Sequence, residues 1–221
     1  MSRLVAIDTE TTGLKSKEGD RIIEIAIVEI TRDPNPRYFH SYFNPGDRII
    51  PPEVTEVHGL TNEFLKDAPT FEERLPEILE FCDGSTQVIH NAPFDVGFLR
   101  DECIACDQIW PEFPVIDTLK EAVKKFPGSR HSLDALCNRF GVDITQRTKH
   151  GALIDAQLLG NLYLAWFGQA GFDLEPKTSV ITKENITSLG ALNQILVPVA
   201  GNKSTVALPQ SWDDFFAKNT V

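Results

Sequence analysis

Leu4-Val5-Ala6-Ile7-Asp8-Thr9-Glu10 reads as a strand that is apolar where it begins and acidic where it ends. Side chains alternate between faces along a strand with a period of two, so Asp8 and Glu10 share a face. Two carboxylates held side by side repel each other. Either water solvates them at the strand's end, or a hard divalent cation bridges them, since Mg²⁺ and Mn²⁺ prefer oxygen ligands.

Working outward, 22–30 and 38–43 are, like 4–9, β-rich and separated by turn-forming residues, and 88–90 is a further strand candidate. Three early strands in succession predict a meander. Helical periodicity occupies 70–81, 94–103, 119–126, 132–140 and 151–167, the last apolar nearly all round and therefore expected to be buried. The expectation is one α/β domain over residues 1–170, a mixed sheet covered by helices. Beyond Gly168 the composition turns to Gly171, Pro176, Asn185, Gly190, Pro198 and Pro209, and residues 171–221 read as a C-terminal appendage, a linker or partner-binding tail.

Composition narrows the function classes. The 221 residues are 42% hydrophobic and 24% charged, the proportions of an ordinary globular domain. No run approaches the roughly 18 apolar residues of a membrane span. Four cysteines are too few for a disulfide framework, so a cytoplasmic location is expected. Cys103 and Cys106 lack a second pair at ligand spacing and read as helix packing, not a zinc site. The formal charge of −11 argues against tight binding of nucleic acid by phosphate neutralisation alone. An enzyme that reaches a phosphodiester through metal ions remains compatible, as does a subunit whose partner holds the DNA. Between 120 and 150, seven basic residues face three acidic ones, a local positive stretch that suits weak, salt-sensitive contact.

Further acids stand where secondary structure could present them. Asp95 follows the turn after the 88–90 strand, near a helix start, where the macrodipole alone would favour it. Asp155 lies one turn into the apolar final helix, where an unpaired carboxylate is costly, so it requires a buried salt bridge or a ligand. His150, just ahead of that helix, could take a proton from water beside such a cluster.

Asp8-Thr-Glu10-Thr-Thr-Gly13, His90-Asn-Ala-Pro-Phe-Asp95 and His150-Gly-Ala-Leu-Ile-Asp155 resemble, in order and separation, the three motifs of the DEDD exonucleases. Glycine at 151, where the tyrosine branch carries Tyr, matches the histidine branch. Val57-His-Gly-Leu-Thr61, Phe126-Pro-Gly128, His131-Ser-Leu-Asp-Ala-Leu-Cys137 and the segment from Arg147 to Gln157 narrow the similarity to the epsilon proofreading subunits of bacterial DNA polymerase III, over about residues 3–166.

The resemblance implies a ribonuclease-H-like mixed five-stranded sheet flanked by helices, and 3′-5′ hydrolysis of a DNA end that releases nucleoside 5′-monophosphates. Asp8, Glu10, Asp95 and Asp155 would hold two divalent cations, Mg²⁺ or Mn²⁺, with His150 as general base. Thr11, Thr12, Gly13 and His58 would meet the terminal nucleotide, the first three through backbone N–H groups; Asn91 and Phe94 would support or stack in the groove. Partners implied are the DNA 3′ end, the polymerase III catalytic subunit through the tail, and the sliding clamp through Gln169, Phe172 and Leu174, an extended segment with two apolar anchors. Two alternatives stay open: an RNA 3′-end trimming enzyme of the same fold, and a subunit that mainly tethers.

Overall fold

The computed structural model describes residues 3–145, 147 and 149–168. The expected appendage, including Gln169, Phe172 and Leu174, lies outside the described residues. A five-stranded mixed sheet is built from β1 (Arg3–Thr11), β2 (Ile22–Glu29), β3 (Tyr38–Tyr42), β4 (Ser85–Ile89) and β5 (Val115–Asp117) in the order β3-β2-β1-β4-β5. β1, β2 and β3 form the antiparallel meander expected, while β4 joins β1 and β5 joins β4 in parallel.

Helices cover the sheet: α1 (Pro52–His58), α2 (Asn62–Leu65), α3 (Phe71–Cys82), α4 (Ala92–Ala105), α5 (Thr118–Lys125), α6 (Leu133–Phe140) and α7 (Ala152–Phe167). Local signals set their starts. Thr70 and Glu73 form a reciprocal capping box on α3, Ser132 caps α6 and Asp117 caps α5. On one face of β1, Val5 and Ile7 join a core of Leu75, Ile78, Phe98 and Leu99 from α3 and α4. The other face meets α7, which packs along β1 and β2. The expectation of a buried final helix holds through Tyr163; its last turn is half-exposed, with Trp166 stacked on Phe140 and Phe167.

Sequence pattern misses three elements. β5 is three residues long with Val115 exposed, too short to register a period. α1 opens on Pro51-Pro52 and buries only His58, while Val54 rests half-buried on a satellite cluster of Ile23, Ile50, Leu60 and Leu65; α2 is one turn. Neither carries an apolar stripe.

Gly160 of α7 faces the sheet at Ala6. A Cβ there would sit 3.7 Å from the Ile30 side chain and 4.0 Å from Ala6 Cβ, ordinary contact distances. Alanine therefore fits and removes glycine's entropy penalty in a helix. Gly160→Ala is expected to stabilise the fold by up to about 1 kcal/mol, a rise in melting temperature of about 2 to 4 °C, measured by thermal denaturation; Gly160→Leu should lower it. Among the described residues no helix is long and apolar enough to cross a membrane.

Candidate active site

The site begins where β1 ends. The face of β1 that carries Ala6 also carries Asp8 and Glu10, beneath the start of α7. The β1–β2 register shifts between Glu10 and Thr11, a bulge that redirects the chain as it leaves the sheet. Opposite Glu10 in that register stands Glu24, 4% exposed, with one carboxylate oxygen 2.7 Å from His40 Nε2. Cross-strand partners share a face, so Glu24 is a third carboxylate beside the pair.

α4 and α7 deliver the other two acids. Asp95, in the first turn of α4, is buried and accepts the Thr9 hydroxyl at 2.7 Å, which ties the helix to the strand that carries Asp8. Asp155, in the first turn of α7, is buried as well. His150 is half-exposed at the mouth, with Nδ1 3.3 Å from Asp155 Oδ2, and its N–H reaches the Val57 carbonyl. Ligand atoms of Glu10, His150 and Asp155 lie within 4.8 Å of one another.

Electrostatics mark this cluster as strained. Burial, then the charges of Asp95, Asp155, Glu10 and Glu24, raise the Asp8 pKa well above the ordinary carboxylate value. Glu10 is pushed up to about 8 by burial, Glu24 and Asp155, against the relief that Arg147 gives. Asp95 rises to about 7 through burial, opposed by the Thr9 hydroxyl. Oxygen donors crowded enough to resist ionisation, with one imidazole, are a donor set that a hard dication satisfies.

Asp155 resolves the question its sequence context raises. Its carboxylate is gripped by Arg147, whose Nε and Nη2 donate to the two oxygens at 2.5 and 2.7 Å. Arg147 also donates from Nη1 to Asp134 at 2.6 Å and from Nη2 to His150 Nδ1 at 2.8 Å. The sequence placed this arginine in a basic stretch and in a segment similar to the epsilon subunits but gave it no role at the site; a cation three residues before the histidine was the available signal. Glu24 was also passed over, although it is the lone charge within the apolar run Ile22-Ile-Glu-Ile-Ala-Ile-Val28.

The remaining expected residues divide. Thr11 and Thr12 are buried, and their side chains hold the turn: Thr11 donates to the Gly13 carbonyl, and Thr12 to Asp20, which also accepts from Lys15 N–H and Arg48. The Thr12 N–H is engaged by the Arg21 carbonyl at 2.9 Å, so it does not match the expected nucleotide contact through that group. At Gly13 a Cβ would overlap the Asp20 carboxylate, which accounts for the glycine.

His58 is buried, accepts the Leu60 N–H on Nδ1, and has its pKa lowered chiefly by burial. The Lys149 side chain folds over Gly59, and the His150–Val57 bond brings α1 to the cluster. Asn91 is exposed in a left-handed conformation, φ +74°, at the turn into α4. Phe94 is half-buried against Phe98 and packs on the core. A cleft of about 550 Å³ opens over Asp8, Asp155, His150 and Arg147, with His90, Asn91, His131 and Ser132 along its wall. His90 and His131 are cleft residues that the sequence placed in motifs but gave no role.

Known proteins agree with this geometry. Residues 5–163 match the Exonuclease family. The chain is 44% identical over 186 residues to DNA polymerase III subunit epsilon of Rickettsia typhi, covering 81% of each chain. It is 45% identical over 177 residues to the subunit of the same name from Escherichia coli, covering 76% of this chain and 72% of that one. Among solved structures, exonuclease X in complex with 5′ overhanging duplex DNA superposes with a TM-score of 0.59 at 28% identity, over 78% of this chain and 96% of that one. The nuclease domain of 3′hExo, a DEDDh family member bound to rAMP, shares the ribonuclease-H-like fold with a TM-score of 0.66 at 18% identity, over 76% of this chain and 93% of that one. A family match that takes in part or all of every strand and the relatives' extensive identity have one reading: the chain belongs to the exonuclease family that includes the epsilon subunits of DNA polymerase III.

Proposed function

We propose that this chain is the proofreading subunit of a bacterial DNA polymerase III, a 3′-5′ exonuclease that removes mispaired nucleotides from the growing DNA end. The observation that carries the reading is the clustering of Asp8, Glu10, Asp95 and Asp155, close enough to raise one another's pKa, with Asp8, Asp155 and His150 lining the cleft. The family works with divalent metal ions. Asp8, Glu10, Asp95 and Asp155 would hold two such ions, Mg²⁺ or Mn²⁺, their four charges matching two dications. When bound, the ions would supply the positive charge that steadies both the attacking and the departing oxygen.

The chain's own groups do the rest. His150 takes a proton from the water that attacks phosphorus. The bond between phosphorus and the upstream 3′ oxygen breaks, a nucleoside 5′-monophosphate leaves, and the 3′ oxygen of the shortened strand takes up a proton from solvent to become a hydroxyl. His58 and the turn over Thr11, Thr12 and Gly13 hold the terminal nucleotide, Thr12 by shaping the turn while its N–H stays on the Arg21 carbonyl, and Asn91 and Phe94 border the groove. Asp20 keeps that turn in place through Thr12, Lys15 and Arg48.

Residues 1–170 form the exonuclease domain and 171–221 the tail that binds the polymerase catalytic subunit; Gln169, Phe172 and Leu174 reach the sliding clamp. Names of the relatives support membership of the polymerase III complex, and a cytoplasmic, nucleoid-associated location follows from that membership.

Digestion of a 5′-labelled DNA primer, paired or mispaired at its 3′ end, beside an RNA of equal sequence, tests the reading. The expected result is a DNA ladder that needs Mg²⁺ or Mn²⁺, disappears with EDTA and forms faster from the mispaired end. Preferred digestion of RNA would move the assignment to RNA 3′-end trimming. No ladder from any substrate would favour a tethering subunit.

A further inference from the structure

Arg147 is the most deeply engaged cation near the cluster. Its side chain is 10% exposed and that of Asp155 is 4% exposed, so the fork between them is largely withdrawn from water. One guanidinium contacts three groups at once: both oxygens of Asp155, one oxygen of Asp134 and Nδ1 of His150. The charges of Asp8 and Glu10 also act on it. Two of those partners, Asp155 and His150, belong with Glu10 to the group of ligand atoms that lies within 4.8 Å. The Asp155 oxygens that a dication would use are thus held by the guanidinium.

We propose that Arg147 is a built-in counter-cation that exchanges with the divalent ion: it holds the carboxylates together until the ion binds, and withdraws from Asp155 when it does. This positioning role rests on the metal assignment made above. Two facts support exchange over coexistence. A guanidinium and a dication sharing one carboxylate would repel strongly where water is excluded. In addition, Arg147 has somewhere to go, because Asp134 sits at the cleft wall, 46% exposed, and already accepts Nη1. Asp134 would be the partner that Arg147 keeps. Withdrawal also uncovers His150 Nδ1, whose lone pair now accepts from Nη2, so one movement would open the cation site and release the base.

The exchange predicts an effect opposite to that of an ordinary structural arginine. Removing the competing charge should tighten metal binding, even though it removes four hydrogen bonds. Mn²⁺ binding to EDTA-treated full-length protein, followed by the electron paramagnetic resonance of free Mn²⁺, reads this directly. Arg147→Gln is expected to bind Mn²⁺ about tenfold tighter or more, and Arg147→Lys, which keeps the charge but not the fork, to stay nearer the wild type. Without metal the glutamine variant should melt below the wild type, and saturating Mn²⁺ should narrow the gap.

Equal or weaker Mn²⁺ binding by Arg147→Gln would overturn the exchange. Should that variant fail to fold, the wild type answers alone: Mg²⁺ is expected to shift the Arg147 Nε–H resonance, and an unmoved resonance at saturation would overturn the exchange equally. Absence of Mn²⁺ binding by the wild type, or undiminished binding by Asp8→Asn, would overturn the metal assignment itself and the exchange with it.

Discussion

Asp8→Asn is expected to lower hydrolysis of a DNA 3′ end by about 10³-fold or more while raising the melting temperature of the EDTA-treated protein. The two effects have one cause. Asp8 lies among Asp95, Asp155, Glu10 and Glu24, and its carboxyl resists ionisation because burial and those four charges oppose it. Asparagine keeps the shape and removes the charge, so the neighbours are relieved. As a metal ligand, however, Asp8 is needed for its charge. Losing several kcal/mol of transition-state stabilisation corresponds to three or more powers of ten in rate.

The same substitution alters the pH dependence of stability. Asp8, Glu10 and Asp95 have folded pKa values above their unfolded ones, with Glu10 near 8 and Asp95 near 7. In that interval the folded chain binds more protons than the unfolded chain, so stability falls as pH rises. Metal-free wild type should therefore lose melting temperature from about pH 4 to about pH 8 by about 2 to 4 °C for each kcal/mol. Asp8→Asn should flatten that slope, and saturating Mg²⁺ should do so in the wild type. Thermal denaturation across pH, with EDTA or Mg²⁺, reads both. Lost activity with an unchanged or steeper slope would place Asp8 outside a like-charge cluster.

How much of this was legible beforehand depended on whether a feature is periodic and local. The strand over 4–10 and the shared face of Asp8 and Glu10 follow from a period of two, and the meander follows from three β-rich runs with turns between them. The helix expected at 70–81 was legible from its periodicity, and the Thr70–Glu73 cap fixes where it starts. β5, α1 and α2 were not, since three exposed-edge residues, a proline-opened helix with one buried side chain and a single turn carry no pattern of their own.

At the site, the expected acids and His150 are brought together. What local sequence could not reveal was pairing across the fold. Glu24 matters because antiparallel register sets it opposite Glu10, and Asp134 because α6 brings it to Arg147. Thr12 shows the converse: it lies inside the motif, yet its N–H and hydroxyl both serve the turn.

His150→Ala is expected to reduce kcat by about 10² to 10⁴, the usual effect of losing a general base, with Mn²⁺ affinity changed far less. The distinction is needed because the His150 ring stands close enough to Glu10 and Asp155 to be a ligand instead. A ligand's loss would appear first in metal binding: the variant would need much more Mn²⁺ for half-maximal rate and would regain its rate when Mn²⁺ is supplied in excess. A base's loss cannot be repaired by metal, but an external base can substitute for it. His150 is 52% exposed at the cleft mouth, so imidazole in solution can reach the vacated position. Rescue of His150→Ala by imidazole, rising with the concentration of the neutral form and without effect on the wild type, is the expected signature. Rescue by Mn²⁺ and none by imidazole would make His150 a ligand, leaving the attacking water to be deprotonated by another group of the cluster.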